Sequence, residues 1–124
     1  YMASVGEECG EVPFTCFMAT SSYMNKNPET IKAFLRAINK AYNYMLTHSA
    51  SDIASNLVAS FDGTSQESIT KAVEKYIEID AWSSTPAMTK SAFNKLIAII
   101  ENAGIDVSGV KFEDVVDNSF ALSL

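Results

Sequence analysis

The sequence predicts a mainly α segment, four helices plus one or two strands, belonging to a larger α/β fold. Three observations carry this. Four windows of the 124 residues place apolar side chains at helical spacing, three of them behind a capping signal. One window, residues 12–19, is an unbroken apolar and aromatic run between turn signals, the pattern of a strand buried on both faces. A strand needs hydrogen-bond partners on both sides, and the rest of the chain offers it little more than a weakly patterned tail. Its sheet is therefore expected to be completed by residues outside this chain or by a second copy.

In chain order, Gly6 and Gly10 bracket Glu7-Glu8-Cys9, and residues 1–11 read as a loop. Val12-Pro13-Phe14-Thr15-Cys16-Phe17-Met18-Ala19 follows as the strand, with Pro13 at its start, where a missing N–H does least harm. Asn27 is placed to cap the first long helix, with Pro28 at its first position. Ile31, Phe34, Leu35, Ile38, Ala41, Tyr42 and Met45 then form one apolar face, and the helix is expected over 28–46, ending near Thr47–Ser49.

A second, short helix is expected from about Ser51 to Phe61, with Ile53, Leu57 and Val58 inward. Asp62-Gly63 is a turn. Thr64-Ser65-Gln66-Glu67 reads as a capping box that opens a third helix, carrying Ile69, Ala72, Val73 and Tyr76 on one stripe. Thr89 caps a fourth, with Phe93, Leu96, Ile97 and Ile100, which stops at Gly104. Ile105–Val107 and Val110–Phe112 read as short extended pieces, and Glu113–Val116 as a helical turn.

Composition excludes several classes of function. The chain is 48% hydrophobic, enough to bury a core, and carries a net charge of −6. Nucleic acid and anionic membrane surfaces both call for a basic footprint, which is lacking here. No run of about 18 apolar residues is long enough to span a bilayer. The opening Tyr1-Met2-Ala3-Ser4 has no basic and apolar regions of a secretory signal, so either the protein is cytosolic or an upstream part is absent.

Catalytic chemistry finds little support. His48 is the single histidine and falls at a helix end, where a cation is favoured by the dipole. Six residues separate Cys9 from Cys16, too many for a zinc knuckle, and the pair reads as free thiols or as a disulfide. Gly6 and Gly10 belong to no phosphate-binding glycine pattern. Glu7, Glu8 and Glu11 read as a solvated turn, with a cation- or amine-binding group as the alternative. Tyr42, Tyr44, Tyr76 and Phe93 read as core or its rim, and Trp82 as a plug over the core or a stacking surface. No catalytic residue, metal ligand or cofactor is assigned.

Two stretches have a familiar order. Gly10-Glu11-Val12-Pro13-Phe14-Thr15-Cys16-Phe17-Met18-Ala19 leads into Tyr23-Met24-Asn25-Lys26-Asn27-Pro28-Glu29-Thr30, and then Phe34-Leu35-Arg36-Ala37. This resembles the late strand and following helix of solute-binding proteins of the NMT1/THI5-like group, which serve ABC importers of thiamine-pyrimidine precursors, nitrate, sulfonates and taurine. Tyr76 through Trp82, Thr85-Pro86, Gly104 and Glu113-Asp114-Val115-Val116-Asp117-Asn118-Ser119-Phe120 continue the likeness.

The resemblance implies the C-terminal part of a type II two-lobe periplasmic binding fold. It implies a strand 12–19 crossing the hinge and helices from 28 onward, with the signal or lipid anchor upstream. It further implies a non-enzymatic, extracytoplasmic protein whose partners are a small solute and an ABC permease. Phe14, Thr15 and Cys16 are then the expected ligand-binding residues: Thr15 supplies a hydroxyl and Phe14 a stacking face. The thiamine-pyrimidine branch carries a carboxylate on this strand, and Thr15-Cys16 supplies none. The pyrimidine-synthesising enzymes on this fold need a cysteine-rich motif and a histidine donor that the segment lacks. That enzyme, and a self-contained helical interaction module, are the two alternatives. An uncovered strand at 12–19 further implies self-association of the isolated segment.

Overall fold

The structure, a computed structural model, describes residues 5–124, with side chains from Glu7 onward. The helices are α1 (Val5–Cys9), α2 (Ser21–Lys26), α3 (Pro28–Thr47), α4 (Ala50–Leu57), α5 (Gln66–Glu78), α6 (Lys90–Asn102) and α7 (Phe112–Val115). Two 3₁₀ turns, Val58–Ser60 and Ala121–Ser123, complete the regular structure. The four expected helices are α3, α4, α5 and α6.

Their starts follow from short hydroxyl side chains. The Ser49 hydroxyl accepts from the Asp52 N–H at 3.2 Å and donates to the Asp52 carboxylate at 2.6 Å. The Thr89 hydroxyl accepts from the Ala92 N–H at 3.1 Å. Each satisfies one of the N–H groups that a first turn leaves without a partner. At the other end of α6, Gly104 takes a φ of 82°. Its N–H reaches the Glu101 carbonyl at 2.9 Å, and the Ile105 N–H reaches the Ile100 carbonyl at 3.2 Å. This paired closure is the Schellman arrangement that favours glycine.

Two caps differ from the sequence reading. α5 is capped by Ser65, whose hydroxyl accepts from the Ser68 N–H at 3.2 Å, so the Thr64/Glu67 box does not form. The Asn27 side chain turns backward and donates to the Tyr23 carbonyl at 3.1 Å, closing α2, while its own carbonyl accepts from Ile31 at 3.2 Å in α3. The expected loop at 1–11 is helical over Val5–Cys9, and its residues 1–4 lie outside the described residues.

The expected strand at 12–19 is not formed, and the described residues contain no strand. The run lies in neither helix nor ladder, and from Phe14 onward it is exposed rather than buried: Phe14 is 98% exposed and Met18 89%. The physical reason is the missing partner. Without a second extended segment beside it, an apolar run has no ladder to join. The extended pieces at 105–107 and 110–112 fail for a different reason. The Asp106 carboxylate accepts from the Ser108 N–H at 3.0 Å and the Ser108 hydroxyl at 2.8 Å, and Val110 closes a turn on Val107 at 2.9 Å. These local bonds bend the chain where a strand would run straight.

The residues sort into two compact units. One takes the described residues up to Arg36 together with Pro86–Leu124, and the other is Ala37–Thr85. Ala37–Thr85 is built on α4 against α5, with Ile53, Ala54, Ile69 and Val73 buried. Tyr44, Met45, Leu57 and Trp82 pack around them. Burying Ile53, Ile69 or Val73 contributes roughly 1.5–3 kcal/mol each. In the other unit Ala92 and Phe93 of α6 are buried, and the Phe93 ring meets Phe112 edge to face at 5.4 Å.

Candidate functional site

Phe14, Thr15 and Cys16 lie together on one exposed stretch outside any helix or strand, and Cys16 is a free thiol. No charged residue occurs between Glu11 and Lys26, so the stretch presents an aromatic ring, a hydroxyl and a thiol without a local field.

Its two ends are held. Upstream, the Lys95 ammonium donates to the Cys9 carbonyl at 3.0 Å, and the Thr89 hydroxyl donates to the Glu11 carboxylate at 3.3 Å. Gly10 between them has a φ of 62°, and a Cβ added there would stand 3.3 Å from the Lys95 Nζ. Downstream, the Phe17 ring packs edge to face on Phe34 of α3 at 4.7 Å. Thr20 then caps α2 by accepting from the Tyr23 N–H at 3.2 Å. Residues 14–16 span the gap between these anchors. Lys95 and Thr89 carried no signal for this role in the sequence, because they act across 86 and 78 residues of chain.

Ala37–Thr85 holds two concavities. The larger, about 410 Å³, is lined by Ala37, Lys40, Ala41, Tyr44, Ile53 and Leu57. Beside it the Asn56 amide donates to the Tyr44 hydroxyl at 2.9 Å. The smaller, about 170 Å³, is bounded by Met45, Leu46, His48, Tyr76, Asp80 and Trp82. Trp82 acts as the expected plug: half-buried, it packs against the core and meets the Tyr76 ring edge to face at 5.7 Å. His48 stacks on Tyr44 at 3.7 Å, and its Nδ1 lies 2.9 Å from the Tyr44 carbonyl. A carbonyl can only accept, so this contact places the proton on Nδ1.

Residues 3–51 match the family described as NMT1/THI5 like, a stretch that contains Phe14–Cys16 and the anchors Cys9, Glu11 and Phe34. Over that stretch the chain resembles the family. A protein of Bacillus subtilis (strain 168) named "Putative binding protein YtlA" is 34% identical over 120 residues, 97% of this chain. The chain spans 36% of that relative's length. No solved structure matches it.

Proposed function

We propose that this chain is the C-terminal part of the solute-binding component of an ABC importer, a non-catalytic protein that captures a small solute outside the membrane and delivers it to a permease. The observation that carries the reading is the stretch at Phe14, Thr15 and Cys16: apolar and hydrogen-bonding side chains exposed between two anchored ends. The name of the Bacillus subtilis relative, a binding protein, supports it. In this reading the remainder of the protein completes two lobes, residues 12–19 pair there as a strand crossing the hinge, and the solute sits between the lobes. Capture of this kind needs a few polar groups and an aromatic face, and closure about the hinge buries them. The solute is of the pyrimidine-precursor, sulfonate or nitrate class.

The test uses the full-length protein with its ligand identified. Thr15→Val and Phe14→Ala are titrated separately, with folding checked by circular dichroism. At least one is expected to weaken binding by about threefold or more, about 0.7 kcal/mol. If neither does, these residues do not face the solute.

The 124-residue chain alone leaves Phe14, Phe17 and Met18 uncovered, at 98%, 75% and 89% exposure, and is expected to self-associate through them. Light scattering should show mass rising with concentration; a clean monomer at high concentration would remove this part of the proposal.

A further inference from the structure

The geometry points to a second binding site, for an organic ammonium cation, in the smaller concavity of Ala37–Thr85. It does not rest on the capture reading, since all its residues lie within that unit. The concavity of about 170 Å³ forms where two helices end: Met45 and Leu46 belong to the last turn of α3, and Tyr76 and Ile77 to the last turn of α5. The aligned peptide dipoles leave partial negative charge at a helix C-terminus, which favours a cation. In α3 no basic side chain occupies that last turn. In α5 the last-turn Lys75 is already paired with Glu78 at 3.1 Å.

The walls match an alkylated cation rather than a metal. Tyr76 and Trp82 meet at 77° between ring planes, so they form two perpendicular sides of an aromatic corner. Aromatic faces attract ammonium groups, and the attraction grows when the site is partly desolvated. Met45, Leu46 and Ile77 supply apolar surface for the alkyl groups. Asp80 adds the carboxylate. A hard cation such as calcium needs about six to eight oxygen ligands, far more than one carboxylate can give.

Asp80 is also held in an uncommon conformation. It has a φ of 51°, alone among the non-glycine described residues in being positive. It occupies the left-handed position that closes α5: its N–H reaches the Ile77 carbonyl at 3.2 Å, and the Ala81 N–H reaches the Tyr76 carbonyl at 2.9 Å. Glycine would fit this position with less strain. An aspartate there adds strain to the backbone while placing a carboxylate at the concavity, which is how strain accumulates at binding sites. The net charge of −6 draws cations toward the chain as a whole.

The test uses the full chain and choline as the probe. Trp82 is the single tryptophan, so its fluorescence reports on this corner alone. Choline is expected to change that fluorescence saturably, with half-saturation on the order of a millimolar. The neutral isostere 3,3-dimethylbutan-1-ol should bind at least about tenfold more weakly. Asp80→Gly should weaken choline binding by about threefold or more while raising the melting temperature, so that unfolding cannot account for the loss. Asp80→Asn should weaken it likewise with the side-chain shape retained. No saturable change with choline, equal binding of the neutral alcohol, or unaltered binding by both Asp80 variants would each overturn the proposal.

Discussion

Asn118 holds Met88 by both of its backbone polar groups: the Asn118 Oδ1 accepts from the Met88 N–H at 3.1 Å, and the Asn118 Nδ2 donates to the Met88 carbonyl at 2.8 Å. One side chain thus does for Met88 what a neighbouring strand would do. The bracket fixes the entry to α6 against the C-terminal tail, beside the ion pair of Lys90 with Glu113.

Replacing this amide therefore strands two backbone groups in a half-buried place. Asn118→Leu keeps the approximate volume and removes both hydrogen bonds, and it is expected to destabilise the chain by about 1–3 kcal/mol. Asn118→Asp keeps the acceptor for the Met88 N–H but turns a carboxylate oxygen on the Met88 carbonyl, and should also destabilise. Urea denaturation checks both; a loss below about 0.5 kcal/mol for the leucine variant would show that the bracket contributes little.

The start of α5 separates two adjacent hydroxyls. Ser65→Ala removes the cap that accepts from Ser68 and should cost about 1 kcal/mol. Thr64→Ala removes no capping hydrogen bond and should stay within about 0.5 kcal/mol of the parent. Thermal melts of the two variants decide it, and a larger loss from Thr64→Ala would move the cap back by one residue.

Three carboxyl groups are held below the usual carboxylate range. Asp106 is lowered by the backbone N–H of Ser108 first and then by its hydroxyl, and Asp117 by the Ser119 hydroxyl and then its N–H. Glu113 is lowered chiefly by the hydrogen bond from Lys90. A group depressed on folding adds stability that is present above its unfolded pKa and lost as the pH falls through its folded value. The loss therefore falls on the acid side of the ordinary carboxylate range, and it is small because all three are exposed to solvent. Carboxyl NMR titrations of Lys90→Met should show the Glu113 midpoint rising while Asp106 stays in place. An unmoved Glu113 would contradict the assignment to Lys90.

How much was legible depends on what each signal reports. The α3 pattern from Ile31 to Met45 specified a helix through its period, and the helix runs over Pro28–Thr47 although Phe34 on that face is 41% exposed. Periodicity reports which residues share a face, not what covers it. The apolar run 12–19 reported a segment suited to burial in a sheet, but pairing depends on a second segment that this chain does not supply. Thr64 and Ser65 are both good caps by residue type, so composition left the register open by one residue. The candidate residues Phe14, Thr15 and Cys16 were reachable only through family resemblance. The corner of Tyr76, Asp80 and Trp82 arises from helix ends meeting, which no local pattern encodes.

The anchoring of the N-terminal segment by Lys95 and Thr89 has a consequence for the order in which the chain folds. Those contacts close 86 and 78 residues of chain, whereas the Asn56–Tyr44 bond in the Ala37–Thr85 unit closes 12. Loop-closure entropy rises with the logarithm of length, and contacts of long separation slow the steps that form them. Ala37–Thr85 is therefore expected to assemble first, and the flanking segments to dock on each other afterwards, so that the chain folds from its middle outward. In pulse-labelled hydrogen exchange the amides of α4 and α5 should gain protection before those of α6; the reverse order would refute this sequence of events. Mutations at Lys95 should then speed unfolding while leaving the early refolding phase unchanged.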